Sequence, residues 1–288
     1  MSQPQFQKIT ATTDGLSCDI AYARFDAQAE KKGTVVAVHG LTRQKRDFDF
    51  IASHLAETGY DVYAMDTPGR GDSGHLTPDM YHLDAYAALF ADALQKLTLP
   101  PVHWLGTSMG GLIAMTMGAQ GQAHLFQSLT LVDITHKPNA AACARIADYV
   151  VEASPVLESV AQYLAILKQN LPLGAVPENV WHHYALHQLR KVDGGYMFHF
   201  DPKIAHLAGP ALRSPIDITT GLQNITCPLA LVAGGLSDFC TAAEIQTLQQ
   251  LKPAVKIHIC PDAGHIPALA DAPTQDFITG FIDAAAQA

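Results

Sequence analysis

The 288-residue sequence predicts an α/β fold, a mostly parallel central sheet flanked by helices, with a helical segment inserted between two strands. Three observations predict it. Short apolar runs recur along the chain and alternate with amphipathic helical patterns, which is how strands buried on both faces of a helix-covered sheet read. Two early segments alternate instead, as half-buried strands do. Between about residues 135 and 220 the apolar runs stop and only helical pieces remain.

The early segments are Phe6–Thr12 and Leu16–Phe25; in the second, Leu16, Cys18, Ile20 and Tyr22 share one face. The buried runs follow: Thr34–Val38, Val62–Met65, Val102–Gly106, Ser128–Asp133, Pro228–Gly234 and Val255–Cys260. Among the helices between them, Leu83, Tyr86, Phe90, Leu94 and Leu97 recur at spacings of three and four and form a single stripe. Helical pieces are expected at Ala140–Glu152, Pro155–Asn170 and Pro177–Lys191, punctuated by Pro138, Pro155, Pro172, Gly174, Pro177, Gly194 and Gly195. The expected organisation is a core domain of residues 1–134 and 221–288 with a cap, or lid, of residues 135–220. Tyr149, Tyr163, Trp181 and Tyr184 are candidate pocket walls within that cap, although for any single one of them ordinary cap core is the preferred reading.

Composition narrows the partners. Twenty-seven acids against 18 bases give a formal charge of −9, which repels phosphate backbones, so nucleic acid is not an expected partner. The densest basic group, Arg43–Arg46, is too short for a polybasic arm. No secretory signal pattern is visible at the N-terminus, and no apolar run is long enough to span a bilayer. The five cysteines are odd in number and form no C-x-x-C pair, so the expectation is a cytoplasmic protein with reduced thiols. No cofactor or metal is expected. His183 and His187 stand four apart, but a metal site needs further ligands and none is indicated nearby. The pattern specifies no oligomeric state.

The sharpest signal is Gly106-Thr107-Ser108-Met109-Gly110, a G-x-S-x-G between a predicted strand and a predicted helix. A serine at the tip of so sharp a turn needs small residues two positions away on either side. The helix start then places the Met109 N–H beside the hydroxyl, where a developing oxyanion can be held. Such a serine needs a base, and the base an orienting acid. Of 14 histidines, His265 is preferred because it lies in a glycine-containing loop after the last strand, at the carboxyl edge of the sheet where ligands of such folds bind. Two acids contend. Asp238 follows the penultimate strand, and Asp133 ends the strand before the insertion; either satisfies the order Ser…Asp…His. Asp238 is preferred because Gly234 and Gly235 can bend its loop toward the histidine.

Ser108, Asp238 and His265, with His39-Gly40-Leu41-Thr42 after one early strand and Asp66–Gly74 after the next, resemble the α/β-hydrolase fold superfamily along essentially the whole chain. The resemblance implies that the helical insertion is a cap and that Leu41 and Met109 give the oxyanion N–H groups. It also implies that the Asp66–Gly74 loop is structural. A serine rather than an aspartate nucleophile argues against the dehalogenase and epoxide-hydrolase branches. The implied activity is a serine carboxylesterase acting on a small-molecule ester with a short to medium acyl chain. A C–C hydrolase of aromatic ring-cleavage products, a lactonase, and a ligand-binding protein on the same scaffold are the alternatives. Next to the oxyanion loop, Arg43, Arg46 and Asp47 read as surface salt bridges, with recognition of a substrate carboxylate by Arg43 as the other option.

Overall fold

The computed structural model describes residues 3–152 and 156–287; the side chains of residues 149, 151, 152 and 206–208 fall outside that description, and with them the expectation for Tyr149. Eight strands form one sheet: β1 (Gln5–Thr13), β2 (Leu16–Phe25), β3 (Gly33–Val38), β4 (Tyr60–Met65), β5 (Val102–Thr107), β6 (Phe126–Val132), β9 (Leu229–Gly234) and β10 (Lys256–Cys260). Their spatial order is β1-β2-β4-β3-β5-β6-β9-β10. The pairs β1–β2 and β2–β4 are antiparallel and all others parallel. Each predicted strand is present.

Side-chain alternation along β3 explains why the parallel strands read as continuous apolar runs. Val36 and Val38 enter the core on one face, while Val35 and Ala37 enter a second core on the other. The first face is covered by α2 (Leu83–Lys96) and α3 (Met109–Ala119), the second by α1 (Asp49–Glu57) and α10 (Ala272–Ala286). Tyr86, Phe90 and Leu94 of the predicted stripe are all buried. With both faces covered, polar groups that serve a ligand belong at the strand ends.

Between β6 and β9 run α4 (Ala140–Glu152), α5 (Val160–Asn170), α6 (Glu178–His187), β7 (Leu189–Val192), β8 (Gly195–Phe198), α7 (Ile204–Arg213) and α8 (Thr219–Asn224). The segment is therefore not purely helical. The helix expected to reach Lys191 ends at His187, and β7 and β8 pair as an antiparallel hairpin. Asp193-Gly194 makes the turn, with Gly194 at φ 83°, a conformation that glycine adopts without strain. Past β8 the chain binds the core: the Gly71 N–H donates to the His199 carbonyl and the Asp201 N–H to the Gly69 carbonyl, 2.9 and 2.7 Å. Among the described residues no helix is long and apolar enough to cross a membrane.

Candidate active site

Ser108 sits between β5 and α3 with φ 50° and ψ −113°. A non-glycine residue there is strained by roughly 1–3 kcal/mol, so the surroundings must enforce it. They do so through close packing. A Cβ on Gly106 would lie 2.6 Å from the Gly110 backbone, and one on Gly110 would lie 2.0 Å from the Val38 carbonyl of β3. The glycines thus serve two contacts, one within the turn and one between helix and sheet. Trp104, fully buried beneath, donates from Nε1 to the Gly110 carbonyl at 3.0 Å.

His265 reaches this serine from the loop after β10, its Nε2 2.9 Å from Ser108 Oγ. Its Nδ1 lies 2.7 Å from Asp133 Oδ2. A carboxylate only accepts, so Nδ1 carries the hydrogen and Nε2 offers its lone pair to the serine hydroxyl. Asp133 is wholly buried, and its other oxygen accepts the Gly234 N–H at 2.8 Å. Both Asp133, at φ 50°, and Ile266, beside the histidine at φ 85°, have the positive φ seen at Ser108. Strain at or beside all three positions marks geometry held for a purpose.

Asp238 is not the partner of His265, which corrects the preference drawn from the glycine-rich loop. Its side chain is half exposed and receives a two-pronged ion pair from Arg145 of α4, Nε and Nη2 at 2.9 and 2.8 Å. Asp133 wins because it directly follows β6, and its strained backbone aims the carboxylate along the sheet edge. The loop that carries Asp238 still contributes. Its Ser237 donates to Asp133 Oδ2 at 2.5 Å, and its Phe239 stacks on the His265 ring at 3.8 Å and 17°. The sequence reading missed both residues, although each neighbours the aspartate it singled out.

The His39–Thr42 loop is tied down from outside. Buried His39 donates from Nδ1 to the Gly40 carbonyl at 2.7 Å and accepts the Thr67 N–H on Nε2 at 3.0 Å. Burial pushes His39 down to about 3, so the ring is neutral and can play both roles. Arg70 Nε donates to the Leu41 carbonyl at 2.8 Å. Leu41 and Met109 both line the cavity above Ser108, and Met109, as the first residue of α3, has an N–H with no acceptor inside the helix. Asp66 is wholly buried and accepts from Lys45 and from the Asp72 N–H, a loop-bracing role.

The cavity measures about 360 Å³. Its covering wall comes from Pro138, Cys143 and Ile146 at α4 and from Ala211, Leu212 and Ile216 at α7 and just beyond. The aromatic candidates are elsewhere: Tyr163 and Tyr184 are buried in a separate core of the inserted segment, with Trp181 packed against it. Burial pushes the Cys143 thiol up to about 11, so it remains protonated at neutral pH and is no rival nucleophile. Arg43 is not a surface residue. It is buried, lines the cavity, and binds Asp47 through Nε and Nη2 at 2.6 and 2.8 Å. His183 and His187 lie 4.4 Å apart between ring centres, with His183 Nε2 2.9 Å from the Arg46 carbonyl. No group of three or more metal-ligating side chains occurs among the described residues.

A glycine-flanked serine at a strand-to-helix turn, bonded to a histidine after the last strand, defines a class of protein, and residues 33–272 match the family model for the alpha/beta hydrolase fold. The chain belongs to the α/β hydrolases. It is 31% identical over 255 residues to the 3-hydroxybutyrate-oligomer hydrolase of Cupriavidus necator, covering 82% of this chain and 84% of that protein. It is 26% identical to a pimeloyl-[acyl-carrier protein] methyl ester esterase of Xylella fastidiosa, covering 83% and 90%. A crystal structure of an alpha/beta hydrolase from Novosphingobium aromaticivorans superposes with a TM-score of 0.84 at 22% identity, covering 98% and 99%.

Proposed function

We propose that this chain is a serine hydrolase of carboxylic esters with short to medium acyl chains, working through an acyl-enzyme. The observation that carries the reading is the unbroken relay Ser108–His265–Asp133, 2.9 and 2.7 Å, at the floor of an apolar cavity. Ser108 Oγ attacks the acyl carbon as its proton passes to His265 Nε2, and Asp133 holds the ring through Nδ1. The Leu41 and Met109 N–H groups receive the charge that develops on the carbonyl oxygen. Collapse expels the alcohol, protonated by His265, and water then repeats the sequence on the acyl-enzyme.

Two relatives support the ester bond as the target. One is an esterase by name, and the other acts on oligomers of 3-hydroxybutyrate, a hydroxy acid whose head-to-tail linkages are esters. Cavity size supports the acyl range: about 360 Å³ is at the small end of ligand pockets.

A fluorophosphonate should add its mass to the peptide containing Ser108, and 4-nitrophenyl butyrate should be turned over. Ser108→Ala should lose both, with kcat down by on the order of 10⁴ or more. Undiminished esterase activity in that variant overturns the mechanism.

A further inference from the structure

We propose that Ser237, Asp238 and Phe239 form a single positioning segment that seats the relay and ties it to the helix covering the cavity. The inference rests on reading Ser108–His265–Asp133 as the catalytic relay. Three consecutive side chains grip three different partners: Ser237 the acid, Phe239 the base, and Asp238 the covering helix α4.

Ser237 has no freedom in where its proton goes. Its oxygen accepts from the N–H groups of Phe239 and Cys240, at 3.0 and 3.4 Å, which leaves its hydrogen for Asp133 Oδ2. That oxygen is the one facing His265 Nδ1. The hydroxyl therefore fixes the carboxylate and draws negative charge away from the imidazole at once. Phe239, 3% exposed, lies nearly parallel over the ring and blocks its rotation toward that side. Asp238 lies between these two anchors, with both its oxygens on Arg145. Cys143 and Ile146, on the same helix as Arg145, form part of the cavity wall. An ion pair so exposed adds little stability, but its two-pronged geometry sets where α4 lies relative to the relay.

The segment's ends and its middle should fail differently. Ser237→Ala should lower kcat by roughly 10–100-fold with little change in KM. It should also move the rising limb of the pH–kcat/KM profile to higher pH. With the hydroxyl gone, more of the carboxylate's charge faces the ring and favours its protonated form. Ser237→Thr, which keeps the hydroxyl, should restore most of the rate. Asp238→Asn and Arg145→Gln should instead raise KM several-fold for hexanoyl esters without moving the pH profile, and the double variant should be no worse than either single one. ¹⁵N NMR of the His265 ring in wild type and Ser237→Ala reads the same displacement with no substrate present, so it stands even if wild type hydrolyses no ester. A ring titration and pH profile identical to wild type in Ser237→Ala overturns Ser237's role. Additive KM effects of the Asp238 and Arg145 changes overturn the tie to α4.

Discussion

Asp133 and Asp238 follow adjacent parallel strands at the same edge of the sheet, yet the fold gives them opposite surroundings. Asp133 is wholly buried and bonded to the Gly234 N–H, the Ser237 hydroxyl and the His265 ring. Asp238 is half exposed and bonded to one arginine. Being at the correct edge is thus not enough to make an acid part of the relay. What separates them is distance from the strand. Asp133 is the residue immediately after β6 and is held at φ 50°, whereas Asp238 is four residues past Gly234 of β9, in a loop with access to water.

Exchanging the charge at each position should break the comparison most sharply. Asp133→Asn keeps the shape but removes the acceptor that fixes the tautomer of His265, and should cost on the order of 10⁴ in kcat. Asp238→Asn should stay within a few-fold. Steady-state kinetics on 4-nitrophenyl butyrate decides, and the reverse ranking would return the acid's role to Asp238.

The same contrast shows how far the sequence could be read. The strands were legible because burial on both faces leaves a mostly apolar run, and the elbow because its glycines answer backbone collisions at 2.6 and 2.0 Å. The acid was not, since chain order and sheet edge are shared by both aspartates. A usable signal was present nonetheless. Asp133 ends a run that is buried throughout, where a carboxylate must find partners, while Asp238 sits among Gly, Leu and Ser with solvent at hand. The β7–β8 hairpin was missed because four-residue strands carry almost no periodicity; the Asp193-Gly194 turn was the clue. Between pocket wall and core, the two readings open for the inserted segment's aromatic residues, Tyr163 and Tyr184 fall to the core, with Trp181 packed against it.

Burial also divides the histidines, and this gives the next largest effect. His39 is pushed down to about 3 by burial, His187 to about 3 and His103 to about 4 by the same cause. Folded values below the unfolded value of about 6.5 mean that the unfolded chain binds more protons in between. This contribution to stability is complete above about pH 6.5 and is lost as the pH falls from there toward the folded values. For wholly buried His39 the loss by pH 5 is about 2 kcal/mol. Urea unfolding followed by tryptophan fluorescence should show midpoints dropping between pH 7 and pH 5. A midpoint that is flat or rising over that interval contradicts neutral burial of these rings.

The smallest effect separates the two halves of the inserted segment, its cavity wall and its aromatic core. Ile146 and Leu212 line the cavity from α4 and α7, whereas Trp181 packs against the core that holds Tyr163 and Tyr184 and does not line it. Shortening a wall residue lengthens the space available to an acyl chain, and each further methylene buried is worth about 0.8 kcal/mol, roughly a four-fold gain in kcat/KM. Ile146→Ala and Leu212→Ala should therefore shift the preferred 4-nitrophenyl ester by one or two carbons toward longer chains, with Ser108 labelling retained. Trp181→Leu removes more volume but opens no room beside Ser108, so its chain-length profile should overlay that of wild type. If Trp181→Leu moves the cutoff while Ile146→Ala and Leu212→Ala do not, selection lies in the aromatic core and the aliphatic wall is only its lining.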